Sequence, residues 1–252
     1  MDSINKEVIQ LNSEIKKLIY HSLVLEHIER PVINDDMIAV MVQILRNANV
    51  EQKFRPYYIV SVMLMQIALD THEGVSNTEE SESPARLRKR QLSILAGDYY
   101  SSMYYHILAK TEDIEFINLM SRGVQEVNEA KVRLYTDKNA DIDTLVTYLK
   151  QIETILIEKT ADYFNVTEQK ELFIDFLLWK RLKAELLGYQ NNHNSKFIQA
   201  LQSIHSVYDE NADKLSDSLK REITKVSDRV RLAILQSNYR DDIVLRIETS
   251  IR

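Results

Sequence analysis

There is no cysteine in this sequence, and its 252 residues include only four glycines and three prolines. The missing cysteine removes disulfides, thiolate-held metals and a cysteine nucleophile, and it fits a reducing compartment. So few glycines and prolines leave little material for tight turns, which argues against a many-stranded sheet with its hairpins and bulges. No glycine-rich phosphate loop occurs, so nucleotide-binding α/β folds are not expected. Long uncharged apolar runs and a signal-like N-terminus are also missing, so a cytoplasmic protein with no membrane span is expected. Nor is there an excess of basic charge. The net charge of −6 speaks against nucleic acid or anionic lipid as the main partner.

What the chain does have is helical periodicity. Val8, Leu11, Ile15 and Leu18 share one face of a first helix over about 4–20. Pro31 ends what precedes it, and Asn34 or Asp35 is placed to cap a helix carrying Met37, Val40, Met41 and Ile44. Pro56 suits the first position of another helix, where its missing N–H costs nothing, with Ile59, Met63, Ile67 and Leu69 along it. From Gly74 to Ala85 the composition turns to Ser, Asn, Thr and Glu, which reads as a solvated loop. Further helices are expected over about 142–163, around Phe173 to Trp179, over 197–207 and 216–236, and from Asp242, with Gly188 as a terminator. The expectation is a single all-α domain over residues 1–252.

The centre of the chain is its most distinctive part. Leu92, Leu95, Tyr99, Met103 and His106 form one apolar stripe, and Tyr100, Tyr104 and Leu108 form a second beside it. A helix apolar over that much of its circumference is expected in the middle of a bundle. Gly97, inside it, costs about 1 kcal/mol relative to Ala and points to close approach by a neighbouring helix or a ligand.

Candidate chemistry is sparse. Asp70 and Glu73 lie three residues apart on one helix face and fit either a divalent-cation site or a solvated, charged last turn. His72 alone makes no metal site. Asp209, Glu210 and Asp213 have the spacing of a magnesium-binding face, and equally that of a polar break capping the next helix. Arg86, Arg88, Lys89 and Arg90 suit a diphosphate, a partner's acids, or the solvated start of a helix. No Ser-His-Asp arrangement stands out.

Three segments carry a family resemblance: Ala68-Leu-Asp-Thr-His-Glu-Gly-Val75, Arg90-Gln-Leu-Ser-Ile-Leu-Ala-Gly-Asp-Tyr-Tyr-Ser102 and Val127-Asn-Glu-Ala-Lys-Val-Arg-Leu-Tyr135. Together they resemble component one of heptaprenyl diphosphate synthase, the small subunit of a two-chain bacterial prenyltransferase. More distantly, the Leu-Ala-Gly-Asp-Tyr segment resembles the trans-prenyl diphosphate synthases, all-α bundles whose aspartate-rich motifs bind magnesium diphosphates. Their first motif reads His-Asp-Asp-x-x-Asp, and alignment on His72 puts Glu73, Gly74 and Asn77 at its aspartate positions. Magnesium needs several hard anionic oxygens, and one carboxylate does not supply them. The family's Arg-Arg pair also has no counterpart before Arg86.

The resemblance therefore implies a non-catalytic subunit that binds no cofactor of its own. Its partner would hold the magnesium, the allylic diphosphate and isopentenyl diphosphate, and would build on farnesyl diphosphate for menaquinone biosynthesis. In that fold the helices matching Arg86–Ala109 and Glu112–Tyr135 form the subunit contact, so Tyr99, Tyr104, Arg122 and Glu126 are expected at or near it. Met103 and Ile107 are expected where the partner's product tunnel ends. Two other readings stay open. One is a self-sufficient magnesium enzyme using Asp70, Glu73, Asp209 and Asp213; the other is a helical protein-binding adaptor unrelated to isoprenoids.

Overall fold

Helix ends account for much of the local architecture. In a computed structural model of the chain, which describes residues 3–20, 26, 28–75, 83–206, 212–237 and 241–251, every regular element is helical. The chain divides into two compact units, Met1–Val124 and Gln125–Arg252.

The first unit contains α1 (Ser3–Ile19), α2 (Asp35–Asn47), α3 (Arg55–Glu73), α4 (Pro84–Leu108) and a 3-10 turn (Ala109–Thr111). α5 (Ile114–Thr136) begins in it and runs on into the second. Asn34 caps α2 by accepting from the backbone N–H groups of Asp36 and Met37, both at 3.1 Å. Asp35 and Asp36 in its first turn complement the helix dipole. Pro56 stands in the first turn of α3, as its geometry favours. The stretch read as loop up to Ala85 ends earlier: Ser83 caps α4 and Pro84 is its first residue, while residues 76–82 lie outside the described ones.

The burial pattern corrects the expectation about the central helix. Every residue from Met37 to Leu45 in α2 and from Tyr58 to Leu69 in α3 is buried, so these two helices are enclosed on all sides. α4 is not. It packs along α3 through Ala96, Gly97, Tyr100, Tyr104, Ile107 and Leu108, and its other apolar stripe faces outward. Tyr100 donates its hydroxyl to the carbonyl of Ile19 at 3.2 Å, tying α4 to the end of α1. Burial, with the nearby Tyr99 and Tyr20 adding to it, pushes that phenol above the usual tyrosine range.

The second unit holds the rest of α5, then α6 (Ile142–Tyr163), α7 (Lys170–Gln190), α8 (Lys196–Ser206), α9 (Ala212–Gln236) and α10 (Asp242–Ile251). Its densest packing is between α7 and α9. Leu172 to Trp179 is buried throughout, Asp175 included. Arg229 of α9 answers that carboxylate with two bonds, Nε to Oδ2 at 2.9 Å and Nη2 to Oδ1 at 2.7 Å. A paired charge of this kind is tolerated inside a core where a lone one is not.

Gly188 does not end α7 as expected; the helix runs two residues further, to Gln190. The reversal falls on Asn192, with φ 60°. The N–H of His193 returns to the Gly188 carbonyl at 2.8 Å, and that of Asn192 to the Tyr189 carbonyl at 3.0 Å. This is a Schellman closure with asparagine in the left-handed position usually given to glycine. The same closure ends α2 at Asn49 (φ 53°) and α6 at Asn165 (φ 57°). There Val50 N–H reaches the Leu45 carbonyl at 3.1 Å, and Val166 N–H the Ala161 carbonyl at 2.8 Å. α9 also begins earlier than expected, at Ala212 rather than near Ser216.

Candidate functional site

Two places come out of the sequence: the last turn of α3 and the surface of α4 beside it. Gly74 caps the end of α3, so Glu73 is the last helical residue and Asp70 stands one turn before it. Asp70 is exposed and accepts from Gln66 Nε2 at 2.9 Å, while the Gln66 Oε1 is buried without a hydrogen-bond partner. Asn77, Asp209 and Glu210 lie outside the described residues, as does the side chain of Asp213 in the first turn of α9.

Glu73 and Gly74 together bring one carboxylate to the aligned motif positions, and a magnesium cluster needs more anionic oxygens than that. Among the described residues no group of three or more His, Asp or Glu could hold a metal ion. The donor set at the end of α3 does not fit a magnesium-diphosphate site.

The space at Gly97 is taken by His72. A Cβ on Gly97 would lie 2.6 Å from both Cε1 and Nε2 of that imidazole. The close approach expected from the sequence is therefore made by the neighbouring helix α3. The His72 Nε2 also stands 3.6 Å from Asp98 Oδ1, next along α4.

On α4 the two stripes part company. Tyr104 is buried, with its ring 4.2 Å from that of Tyr105, and Ile107 is buried below it. Burial, and the hydrogen bond its hydroxyl donates to Tyr105, push the Tyr104 phenol far above the usual tyrosine range. Hydrogen bonding from Ser121 of α5, then from Tyr104, holds the Tyr105 phenol below it. Of the outward stripe, Leu95 is 62% exposed and Tyr99 44% exposed, Leu92 and Met103 are half-buried, and His106 is exposed. Ile114, at the start of α5, is 70% exposed. Arg122 is exposed, and Glu126, in the second unit, pairs with Lys159 at 2.8 Å.

Tyr99 and Arg122 thus lie on the surface, Tyr104 lies beneath it, and Glu126 has an intramolecular cation. The exposure of Leu95 was not legible, because an apolar residue on an apolar stripe reads as core. One groove was not anticipated at all. It has a volume of about 340 Å³ between α9 and α10, lined by Arg231, Ile234, Leu235, Glu248 and Ile251.

With this geometry in hand, comparison with known proteins is decisive at one level. The family described as heptaprenyl diphosphate synthase (HEPPP synthase) subunit 1 matches residues 21–231. The chain belongs to that family. Heptaprenyl diphosphate synthase component 1 of Geobacillus stearothermophilus is 39% identical to it over 127 residues, which is 50% of this chain. The match spans 56% of that protein, little more than half its length.

Solved structures agree in fold over nearly the whole chain. A decaprenyl diphosphate synthase from Rhodobacter capsulatus has a TM-score of 0.66 at 12% identity, covering 99% of this chain and 98% of that one. Heptaprenyl diphosphate synthase from Staphylococcus aureus has 0.66 at 12%, covering 98% and 96%. A deletion mutant of the heterotetrameric geranyl pyrophosphate synthase of mint has 0.53 at 14%, covering 98% and 100%. At such identities the likeness shows the fold alone. The subunit 1 family member is an all-α chain of the polyprenyl synthase fold, and among its described residues no helix is long and apolar enough to cross a membrane.

Proposed function

We propose that this chain is the accessory subunit of a two-chain heptaprenyl diphosphate synthase and has no complete active site of its own. The observation that carries the reading is a prenyl-synthase fold whose first motif positions offer a single carboxylate, Glu73, beside Gly74. A catalytic partner then supplies the aspartate-rich motifs, the magnesium, and the sites for isopentenyl diphosphate and the allylic diphosphate. The partner's reaction extends farnesyl diphosphate, and the product serves as a menaquinone side chain.

The contact with that partner is assigned to the outward stripe of α4. An apolar surface of this kind at Leu95 and Tyr99, bordered by polar residues, is what a subunit interface asks for. Aromatic side chains such as Tyr99 combine large contact area with a polar tip, which suits an interface centre. That the mint structure is of a heterotetrameric geranyl pyrophosphate synthase supports multichain assembly on this fold.

Prenyl transfer from farnesyl diphosphate, measured with isopentenyl diphosphate and magnesium, tests the proposal on this chain alone, the catalytic subunit alone and the mixture. Activity dependent on the mixture is the expected outcome. Turnover by this chain alone would overturn it and send attention to Asp70, Glu73, Asp209 and Asp213. Alanine at Leu95 and Tyr99 is expected to weaken the complex while leaving the chain folded; full retention of pairing would move the contact elsewhere.

A further inference from the structure

The partner contact on α4 has a polarity, and Arg88 sets it. This rests on the pairing proposed above. Arg88, Leu92, Leu95, Tyr99 and His106 follow one another at steps of three, four and seven, so they share one side of α4. The stripe thus runs from a cation at the helix start, across an apolar middle, to a histidine near its end.

No acid occurs between Ser83 and Gly97, so Arg86, Arg88, Lys89 and Arg90 fill the first two turns of the helix with like charge, and Arg86 and Arg90, four residues apart, repel. Lys89 is paired with Glu29 at 2.9 Å, and Arg90 has a partner as well. Arg88 is exposed and holds no side-chain partner among the described residues. Arg88 thus stands in a run of like charge with no partner among the described residues, in line with the exposed Leu95 and Tyr99, and so suits a contact outside the chain.

We infer that Arg88 pairs with a carboxylate on the helix of the catalytic subunit whose apolar face covers Leu95 and Tyr99. Arg88 lies seven residues before Leu95, about 10 Å along the helix axis. The partner helix therefore carries its acid about two turns from the side chains that pack on Leu95. The stripe contains no carboxylate of its own, so a second copy of this chain packed stripe to stripe would leave Arg88 unanswered. Asp98 lies beside the stripe and already faces His72. A different chain with an acidic residue is the occupant that matches.

A charge at the end of an apolar contact acts mainly on encounter, and the apolar middle acts on residence time. The test is association kinetics between separately prepared full-length chains at low and high salt. Arg88→Glu is expected to slow association by about tenfold at low ionic strength, with the difference shrinking as salt screens it. Arg88→Lys is expected to keep most of the rate, Arg88→Gln to fall between, and Leu95→Ala to act on dissociation instead. Unchanged association rate and salt dependence in both Arg88→Glu and Arg88→Gln would overturn the inference while leaving the pairing intact. A wild-type chain that fails to bind the catalytic subunit would overturn the pairing itself and this inference with it. Circular dichroism on each variant confirms that the comparison is between folded chains.

Discussion

Gly97 and His72 form a couple whose energetics separate into two parts. Glycine inside a helix costs about 1 kcal/mol relative to alanine. Here the absent Cβ makes room for an imidazole that would otherwise meet it at 2.6 Å. The His72 side chain is 39% exposed, so it has somewhere to go if displaced. The expected outcome is that Gly97→Ala stabilises the His72→Ala variant by about 1 kcal/mol, the full helix-propensity gain. In the wild-type background the same change is expected to give back much of that gain. Urea denaturation of the four proteins in this cycle measures the coupling. Equal effects in both backgrounds would show that the ring and the glycine are energetically independent.

At the scale of elements, three helices end in the same way without glycine. Asn49, Asn165 and Asn192 each take the left-handed position, and the Val50 and Val166 amides close the first two ends. Asparagine tolerates that conformation better than other residues with a Cβ. Asn165→Ala is expected to cost about 1 kcal/mol in thermal or urea unfolding, and Asn165→Gly to be neutral or stabilising. An alanine variant as stable as the wild type would mean that the closure at the end of α6 contributes nothing. These ends were partly legible: Asn-Val follows two of the helices. Most helix positions were legible, because periodicity and caps are local. The environment of α4 was not. Two apolar stripes say that two sides avoid water, and only one of them finds α3.

At the scale of the whole molecule, the proposed role requires this chain to act through another. Met103 is half-buried and Ile107 buried, at turns just past the exposed Tyr99. A growing isoprenoid chain in the partner that reaches this region would meet bulky side chains there. Met103→Ala and Ile107→Ala are expected to lengthen the product of the mixed enzyme, read by chromatography of the dephosphorylated prenols. An unchanged length distribution at normal activity would place the ruler elsewhere. Ile107→Ala also removes buried volume, at a cost of about 2–5 kcal/mol, so Met103→Ala is the cleaner probe.

The sequence by itself determined the all-helical class, the Asn34 cap of α2, the proline start of α3, and the thinning of the first motif to one carboxylate. Each follows from residue type and spacing within a few turns of chain. It also contained the resemblance that family membership now supports. Tertiary structure decided which stripe of α4 is core, that Gly97 receives the His72 ring, and that Tyr104 lies beneath the surface while Leu95 and Tyr99 lie on it. It also decided that Arg229 answers the carboxylate buried at Asp175. The reason is physical: helical periodicity names the faces of an element, but burial depends on which distant segment arrives at each face.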